Sequence, residues 1–211
     1  EKLPGNDRAY EFPPCFDVLD LHLLDGCNMA CDYCYNCANE YGQRLGISEI
    51  ESAVNYMSDH SLGESVRVHF MGGEPTLAWS ALTHSVDYSR RIFSERGVGV
   101  AFSITSNGIW NDKQFKFIND NFQRVTISID GKKDLHDRYR VDSLGKGTFE
   151  RVFKTTNLIS QNENIELRIS ATVSSDAVER LSETALFLCE SFPNATICVE
   201  PLRMDTVIGK A

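Results

Sequence analysis

The sequence predicts an α/β fold, a partial TIM-like (β/α)6 barrel of parallel strands, and two observations lead there. Six short runs rich in Val, Ile, Phe and Thr recur along the chain, the composition that pleated, half-buried surfaces favour. Helical patterns of crossover length separate them, which calls for a parallel sheet with right-handed βαβ connections. An open doubly wound sheet would satisfy that alternation too. Four chemically capable motifs each follow one of the first four strands, and since a β/α barrel carries its active site on that carboxyl-end rim, their convergence points to an enzyme.

The elements follow in order. FDVLDLHLL (16–24) is the first strand and runs into GCNMACDYC (26–34). ISEIESAVNYMSDHS reads as a helix opened by a capping box of Ser48 and Glu51. SVRVHFM (65–71) is the second strand, ending in MGGEP and the helical PTLAWSALTHSVDYSRRIFSE. VGVAFSIT (98–105) is the third and closes on TSNG; RVTISI (124–129) is the fourth and closes on SIDG. GKKDLHDRYRVDSLGKGT (131–148) shows no helical pattern, and a charged loop of that length in a compact domain marks function or mobility. FERVFKTTNLISQ is helical, IELRISATV (165–173) is the fifth strand, DAVERLSETALFLCES is a helix with an acidic start at Asp176 and Glu179, and TICVEPL (196–202) is the sixth strand. Residues 1–15 read as a lead-in segment and 16–211 as one core domain. There is no repeat beyond the β/α alternation.

Composition narrows the function. The 211 residues include 30 acidic and 21 basic side chains, a net charge of −9, whereas nucleic-acid binders present a basic face. No apolar run approaches the roughly 20 residues of a membrane span. EKLPGNDRAYEFPP lacks the basic start and apolar stretch of a signal peptide, and a chain beginning at Glu1 is expected to be part of a longer polypeptide. Of seven cysteines, four fall between Cys27 and Cys37. A disulfide scaffold spreads its cysteines through a small loop-rich fold, so the clustering points to a metal or redox site in a reducing cytoplasm.

Cys27, Cys31 and Cys34 form a CxxxCxxC directly after the first strand. Three thiolates so spaced can ligate three irons of a cubane cluster and leave the fourth open, much as a catalytic zinc keeps an open position. Three buried thiols on one helical face would share the spacing, but Gly26, Asn28 and Asp32 make a poor apolar helix. Zinc with Cys37 as fourth ligand is a further alternative, although structural zinc sites usually pair two knuckles across a longer insert. Gly72 and Gly73 allow close approach to the backbone, and Glu74 can accept from an ammonium group. Asn107, Ser128 and Asp130 suit ribose hydroxyls, although Asn-Gly and Asp-Gly are also ordinary turns. His22 and His69 are expected to line or fill the barrel, His84 to lie on a helix surface and His136 in the charged loop. Cys189 and Cys198 sit in apolar contexts that suggest buried residues, Cys37 reads as a loop thiol, and Cys15 as an isolated cysteine.

Together CxxxCxYC, GGEP, SNG and SIDG resemble the radical S-adenosylmethionine (SAM) superfamily over most of the chain. SIDGKKDLHDRYRVDSLGKGTFERV resembles its SPASM branch, which includes anaerobic sulfatase-maturating enzymes and maturases of ribosomally made peptides. CDYCYNCANEYG is more similar to peptide thioether-forming maturases than to sulfatase activators. The resemblance implies a [4Fe–4S] cluster on Cys27, Cys31 and Cys34, with SAM bound to the open iron through its amino and carboxylate groups. One electron would cleave SAM to methionine and a 5′-deoxyadenosyl radical, which abstracts hydrogen from a peptide or protein side chain. By the same resemblance Tyr33 lies beside the adenine through its backbone, Gly72, Gly73 and Glu74 meet the methionine amino group, Asn107, Ser128 and Asp130 lie near the ribose, and Arg140 or Arg168 pairs the methionine carboxylate. A flavodoxin or ferredoxin would supply the electron. A Cys-rich C-terminal extension for auxiliary clusters is expected of the branch, and nothing like it follows Leu202. The expected product is a thioether or other crosslink; the alternatives are formylglycine-generating sulfatase maturation and, in another class, a zinc-stabilised or redox-sensing binding module.

Overall fold

The computed structural model describes residues 16–34 and 42–202. Six strands, β1 (Val18–His22), β2 (Ser65–Met71), β3 (Gly99–Ser106), β4 (Arg124–Ser128), β5 (Glu166–Val173) and β6 (Thr196–Pro201), lie side by side in chain order in one sheet. Every pairing is parallel, and among the described residues β1 and β6 do not close on each other. The result is the expected partial (β/α)6 barrel, with α1 (Ile47–His60), α2 (Trp79–Glu95), α3 (Asp112–Asn121), α4 (Lys133–Tyr139), α5 (Phe149–Ile159) and α6 (Leu181–Ser191) in the crossovers.

Strand alternation sorts the two faces. In β2, Val66, Val68 and Phe70 are buried against the helices, while Arg67, His69 and Met71 turn the other way. The outward residues join Ile50, Val54, Leu82, Phe93, Ile118 and Leu188 in one core, each large side chain adding roughly 1.5–3 kcal/mol on burial. The inward face is polar. Asp20, Arg67, His69, Ser103, Thr105 and Arg168 line a trough of about 490 Å³, where a closed TIM barrel would hold layers of branched apolar side chains. His69 is therefore barrel-lining as expected, bonded to Ser103 Oγ (2.9 Å) and Thr105 Oγ1 (3.3 Å).

Several local expectations need correction. The N-cap of α1 is Gly46, without a side-chain cap. Ser48 is already inside the first turn, where it cannot cap; its hydroxyl bonds Glu49 Oε2, and Glu51 pairs with His84 at 2.9 Å. The capping box of this fold sits at Asn111 and Gln114, each side chain taking the other's backbone N–H (3.0 and 2.9 Å). The charged 131–148 segment contains α4, whose buried side, Leu135 and His136, is hidden among five charged or polar neighbours. His136 is thus a core residue, not a loop residue. Asp176 accepts from Ser174 and Tyr139 hydroxyls (2.5 and 2.7 Å) within a 3-10 turn, and α6 begins only at Leu181. Cys189 is exposed on the same outer side of α6 as Leu186, and Cys198 is half-buried facing the trough; neither is a core residue.

Candidate active site at the carboxyl rim

Beyond β1 the chain is pinned to β2 by Leu23 N–H on Met71 C=O (3.0 Å) and then crosses the rim. Gly73 N–H bonds Leu24 C=O (2.8 Å) and Glu74 N–H bonds Gly26 C=O (2.9 Å). The paired glycines are required here. Gly72 has φ +139°, and a Cβ on Gly73 would stand 2.2 Å from Gly26 O and 2.3 Å from Asp25 O. The backbone that approaches them closely is the cysteine loop itself. On its other side the loop is held by Ala30 N–H on Val141 C=O and Asp32 N–H on Tyr139 C=O, both 2.9 Å.

Glu74 lies beneath this crossing, fully buried. Its carboxylate accepts from Thr76 N (3.1 Å), Thr76 Oγ1 (2.7 Å), Ser106 Oγ (2.9 Å) and Asn107 N (2.8 Å). Burial pushes its pKa up, while those donors pull it back down. The carboxylate thus ties the end of β2 to the end of β3, and its oxygens are occupied by the chain. Asn107 carries the link on to the cysteines: its Nδ2 donates to Asn28 Oδ1 (2.7 Å) and Cys27 Sγ (3.6 Å).

A second network holds the far side of the loop. Tyr33 donates its hydroxyl to Asp130 Oδ2 and accepts from Arg140 Nη1, both at 2.6 Å, and Asp130 Oδ1 accepts from Thr172 N at 3.0 Å. Arg140 is 7% exposed and its Nε has no hydrogen-bond partner among the described residues. The phenol pKa rises strongly with burial; burial also pushes the Asp130 carboxyl up against the pull of Arg140. His136 stands behind this network. Asp130 N–H donates to its Nδ1 (3.4 Å), and its Nε2 meets Thr148 Oγ1 (3.0 Å), whose proton goes to Arg140 C=O (2.7 Å). Those partners require a neutral ring with the proton on Nε2, and burial lowers the pKa to about 3.

The three cysteines of the loop are half-buried thiols, not disulfides. Burial lifts Cys27, and lifts Cys31 to about 11, with Arg140 pulling Cys31 down and Cys27 and Cys34 adding to the rise. The Cys27 and Cys31 thiolates are therefore disfavoured by their surroundings until positive charge arrives, which iron supplies on coordination. Among the described residues no three His, Cys, Asp or Glu side chains converge tightly enough for a single ion. Cys27, Cys31 and Cys34 are three undisulfided thiols on one rim loop, the kind of donor that ligates the irons of a cubane. The donor set fits a [4Fe–4S] cluster.

The structure thus brings Cys27, Cys31, Cys34, Tyr33, Gly72, Gly73, Glu74, Asn107, Asp130 and Arg140 to one rim. Ser128 ends β4 half-buried on the inward side. Arg168 is not brought to the rim: it precedes Thr172, the partner of Asp130, by four residues, about 13 Å along an extended strand. It lines the trough below, with Nη2 3.7 Å from Cys198 Sγ. Cys15 and Cys37 lie outside the described residues. Sequence reasoning passed over Thr76 and Thr148, the first of them a small hydroxyl residue directly beside GGEP, and it placed Ser106 in the SNG motif without assigning it to Glu74.

The chain is similar to several known proteins. The cysteine-type anaerobic sulfatase-maturating enzyme of Clostridium novyi (strain NT) is 25% identical over 191 residues, covering 83% of this chain and 49% of the relative. Mycofactocin maturase MftC of Mycolicibacterium smegmatis is 27% identical over 184 residues, covering 85% and 42%. The structure of histidine-tagged anSMEcpe with bound AdoMet superposes with a TM-score of 0.79 at 25% identity, over 90% of this chain and 52% of that one. The chain spans about half the length of the curated relatives it matches. The profile of the radical SAM superfamily matches residues 21–171. From within β1, across the cysteine loop and the rim contacts, into β5, the chain belongs to the radical SAM superfamily.

Proposed function

We propose that this chain is the cluster-bearing core of a maturase that abstracts hydrogen from a peptide or protein side chain, forming a thioether or other crosslink. The observation that carries the reading is the presentation of Cys27, Cys31 and Cys34 at the strand ends, docked on Gly73 and Glu74, above an open polar trough. A peptide segment, rich in backbone donors and acceptors, suits a wet, polar wall better than an apolar ligand would. The maturases among its relatives support the same substrate class.

When bound, a [4Fe–4S] cluster and SAM supply one-electron cleavage and a radical hydrogen abstractor. The chain's own residues position them. In this proposal Tyr33 meets the adenine through its backbone, its hydroxyl being engaged with Asp130 and Arg140. Gly72, Gly73 and Glu74 meet the methionine amino group through the turn they form, since the Glu74 oxygens are already bonded. Ser128 faces the ribose, and Asp130 borders it while its two carboxylate oxygens are held by Tyr33 and Thr172. Arg140, with its unpartnered buried Nε, is the better placed of the two arginines for the methionine carboxylate. A flavodoxin- or ferredoxin-type donor supplies the electron. No helix among the described residues is long and apolar enough to cross a membrane, and the net charge of −9 argues against a nucleic-acid partner. The residue 1–15 lead-in and a core from 16 onward stay part of this proposal.

Formylglycine-type maturation of a sulfatase is the second reading, favoured by the similarity to the Clostridium novyi enzyme. Superfamily membership leaves the zinc-stabilised binding module without support. Anaerobic reconstitution of the chain with iron and sulfide tests the ligand set. Cys27→Ala, Cys31→Ala and Cys34→Ala should each abolish cluster uptake while Cys37→Ala retains it; loss in the Cys37 variant overturns the assignment. Mass spectrometry of a treated Cys-containing peptide separates the two products, because an aldehyde is captured by a hydrazide and a thioether is not.

A further inference from the structure

Asn107 donates to the sulfur of a cluster cysteine, and we propose that this side chain sets the cluster's reduction potential instead of binding ribose. The inference rests on the cluster reading above. The orientation of the amide follows from its neighbours. Ile109 N–H donates to Asn107 Oδ1 at 2.9 Å, so the oxygen is at that end and the nitrogen at the other. Nδ2 carries two hydrogens, and two acceptors face it: Asn28 Oδ1 at 2.7 Å and Cys27 Sγ at 3.6 Å. The backbone N–H of Asn107 is spent on Glu74 Oε2 at 2.8 Å. Every donor of the residue is engaged within the chain, and with 5% of its surface exposed it has little left to offer a sugar.

The same facts make it a fixed donor toward Cys27. The amide is held by Ile109 at one end and Asn28 at the other, and the backbone by Glu74, so the N–H facing the sulfur cannot rotate away without breaking one of them. Met29 N–H adds a second bond to the same Sγ at 3.4 Å. Hydrogen bonds to cluster sulfurs and solvent exposure are among the levers that set iron–sulfur potentials. One electron from an external flavodoxin- or ferredoxin-type donor increases the negative charge spread over the thiolate sulfurs. An N–H dipole aimed at sulfur stabilises that reduced state more than the oxidised one, the more so in a half-buried site. Asn107 therefore raises the potential and eases reduction.

The test is an EPR-monitored redox titration of the full chain, reconstituted anaerobically and free of SAM. Asn107→Leu keeps the bulk and removes the amide. The expected result is a midpoint shifted to more negative potential by about tenfold in the reduction equilibrium, 59 mV for one electron, with iron and sulfide content unchanged. A loaded Leu variant with the wild-type midpoint overturns the inference. If that variant takes up no cluster, wild-type chain carrying asparagine labelled with ¹⁵N in the side-chain amide decides the matter. Hyperfine spectroscopy of its reduced cluster should then show a ¹⁵N coupling, and absence of that coupling overturns the inference. A wild-type chain that binds no iron or sulfide sinks the cluster reading first; a loaded chain with an unmoved potential sinks this inference alone.

Discussion

Replacing Gly73 with alanine perturbs the docking of the cysteine loop without touching a cysteine. The added Cβ would stand 2.2 Å from Gly26 O and 2.3 Å from Asp25 O, both backbone atoms, where real contacts are not shorter than 3.0 Å. The loop must therefore retreat by 3.0 − 2.2 = 0.8 Å or more. That retreat strains or breaks the bonds from Gly73 N to Leu24 O and from Glu74 N to Gly26 O, at 2.8 and 2.9 Å. At about 1 kcal/mol net for each bond, the docked loop loses about 2 kcal/mol, a factor of roughly 30 in its population. The core strands are untouched, so the far-UV circular dichroism of Gly73→Ala should match that of the wild type. Iron and sulfide bound per chain after anaerobic reconstitution should fall severalfold. A variant that loads to the wild-type level with an unchanged visible spectrum would refute the idea that these glycines exist to seat the cysteine loop.

Three further outcomes follow from the networks around it. His136 is held neutral, its pKa lowered from 6.5 to about 3 by burial; the unfolded chain binds the proton first, so stability present above pH 6.5 is lost as pH falls toward 3, by up to about 5 kcal/mol. Urea midpoints of His136→Gln should accordingly fall less steeply between pH 6.5 and 4 than those of the wild type; parallel slopes would count against the buried neutral ring. Tyr33→Phe removes the hydroxyl between Asp130 and Arg140, leaving buried polar atoms unpaired at a cost of about 1–3 kcal/mol, readable as a lower melting temperature; an unchanged melt argues against the bridge. Glu74→Leu strands the donors of Thr76, Ser106 and Asn107 and should destabilise the fold by several kcal/mol, whereas Glu74→Gln should recover part of that loss.

What was legible in the sequence was what is local. The six strands were readable to within two residues at each end because β-rich runs and their turn residues are contiguous. The cysteine spacing and GGEP were legible for the same reason. The use of these motifs was less so. The crowding that requires glycine at 73 comes from Asp25 and Gly26, and the donors that occupy Glu74 come from Ser106 and Asn107 on another strand. Arg140 and Arg168 were equivalent as residues in a string; only the fold sends one to the rim and the other to the trough floor. The α4 helix was missed because its seven residues carry one apolar side chain with a buried histidine beside it, too few to register a helical period. Asn111 and Gln114 were a visible capping pair and were overlooked in favour of Ser48 and Glu51, where the position inside the turn, and not the residue type, decided the outcome.

The most direct test of the account is SAM turnover by the reconstituted chain. Under strictly anaerobic conditions with dithionite as reductant, a chain loaded through Cys27, Cys31 and Cys34 should convert SAM to methionine and 5′-deoxyadenosine in equal amounts, and the Cys31→Ala variant should yield neither. A wild-type chain that carries its full complement of iron and sulfide, accepts an electron by EPR and still leaves SAM intact would contradict it.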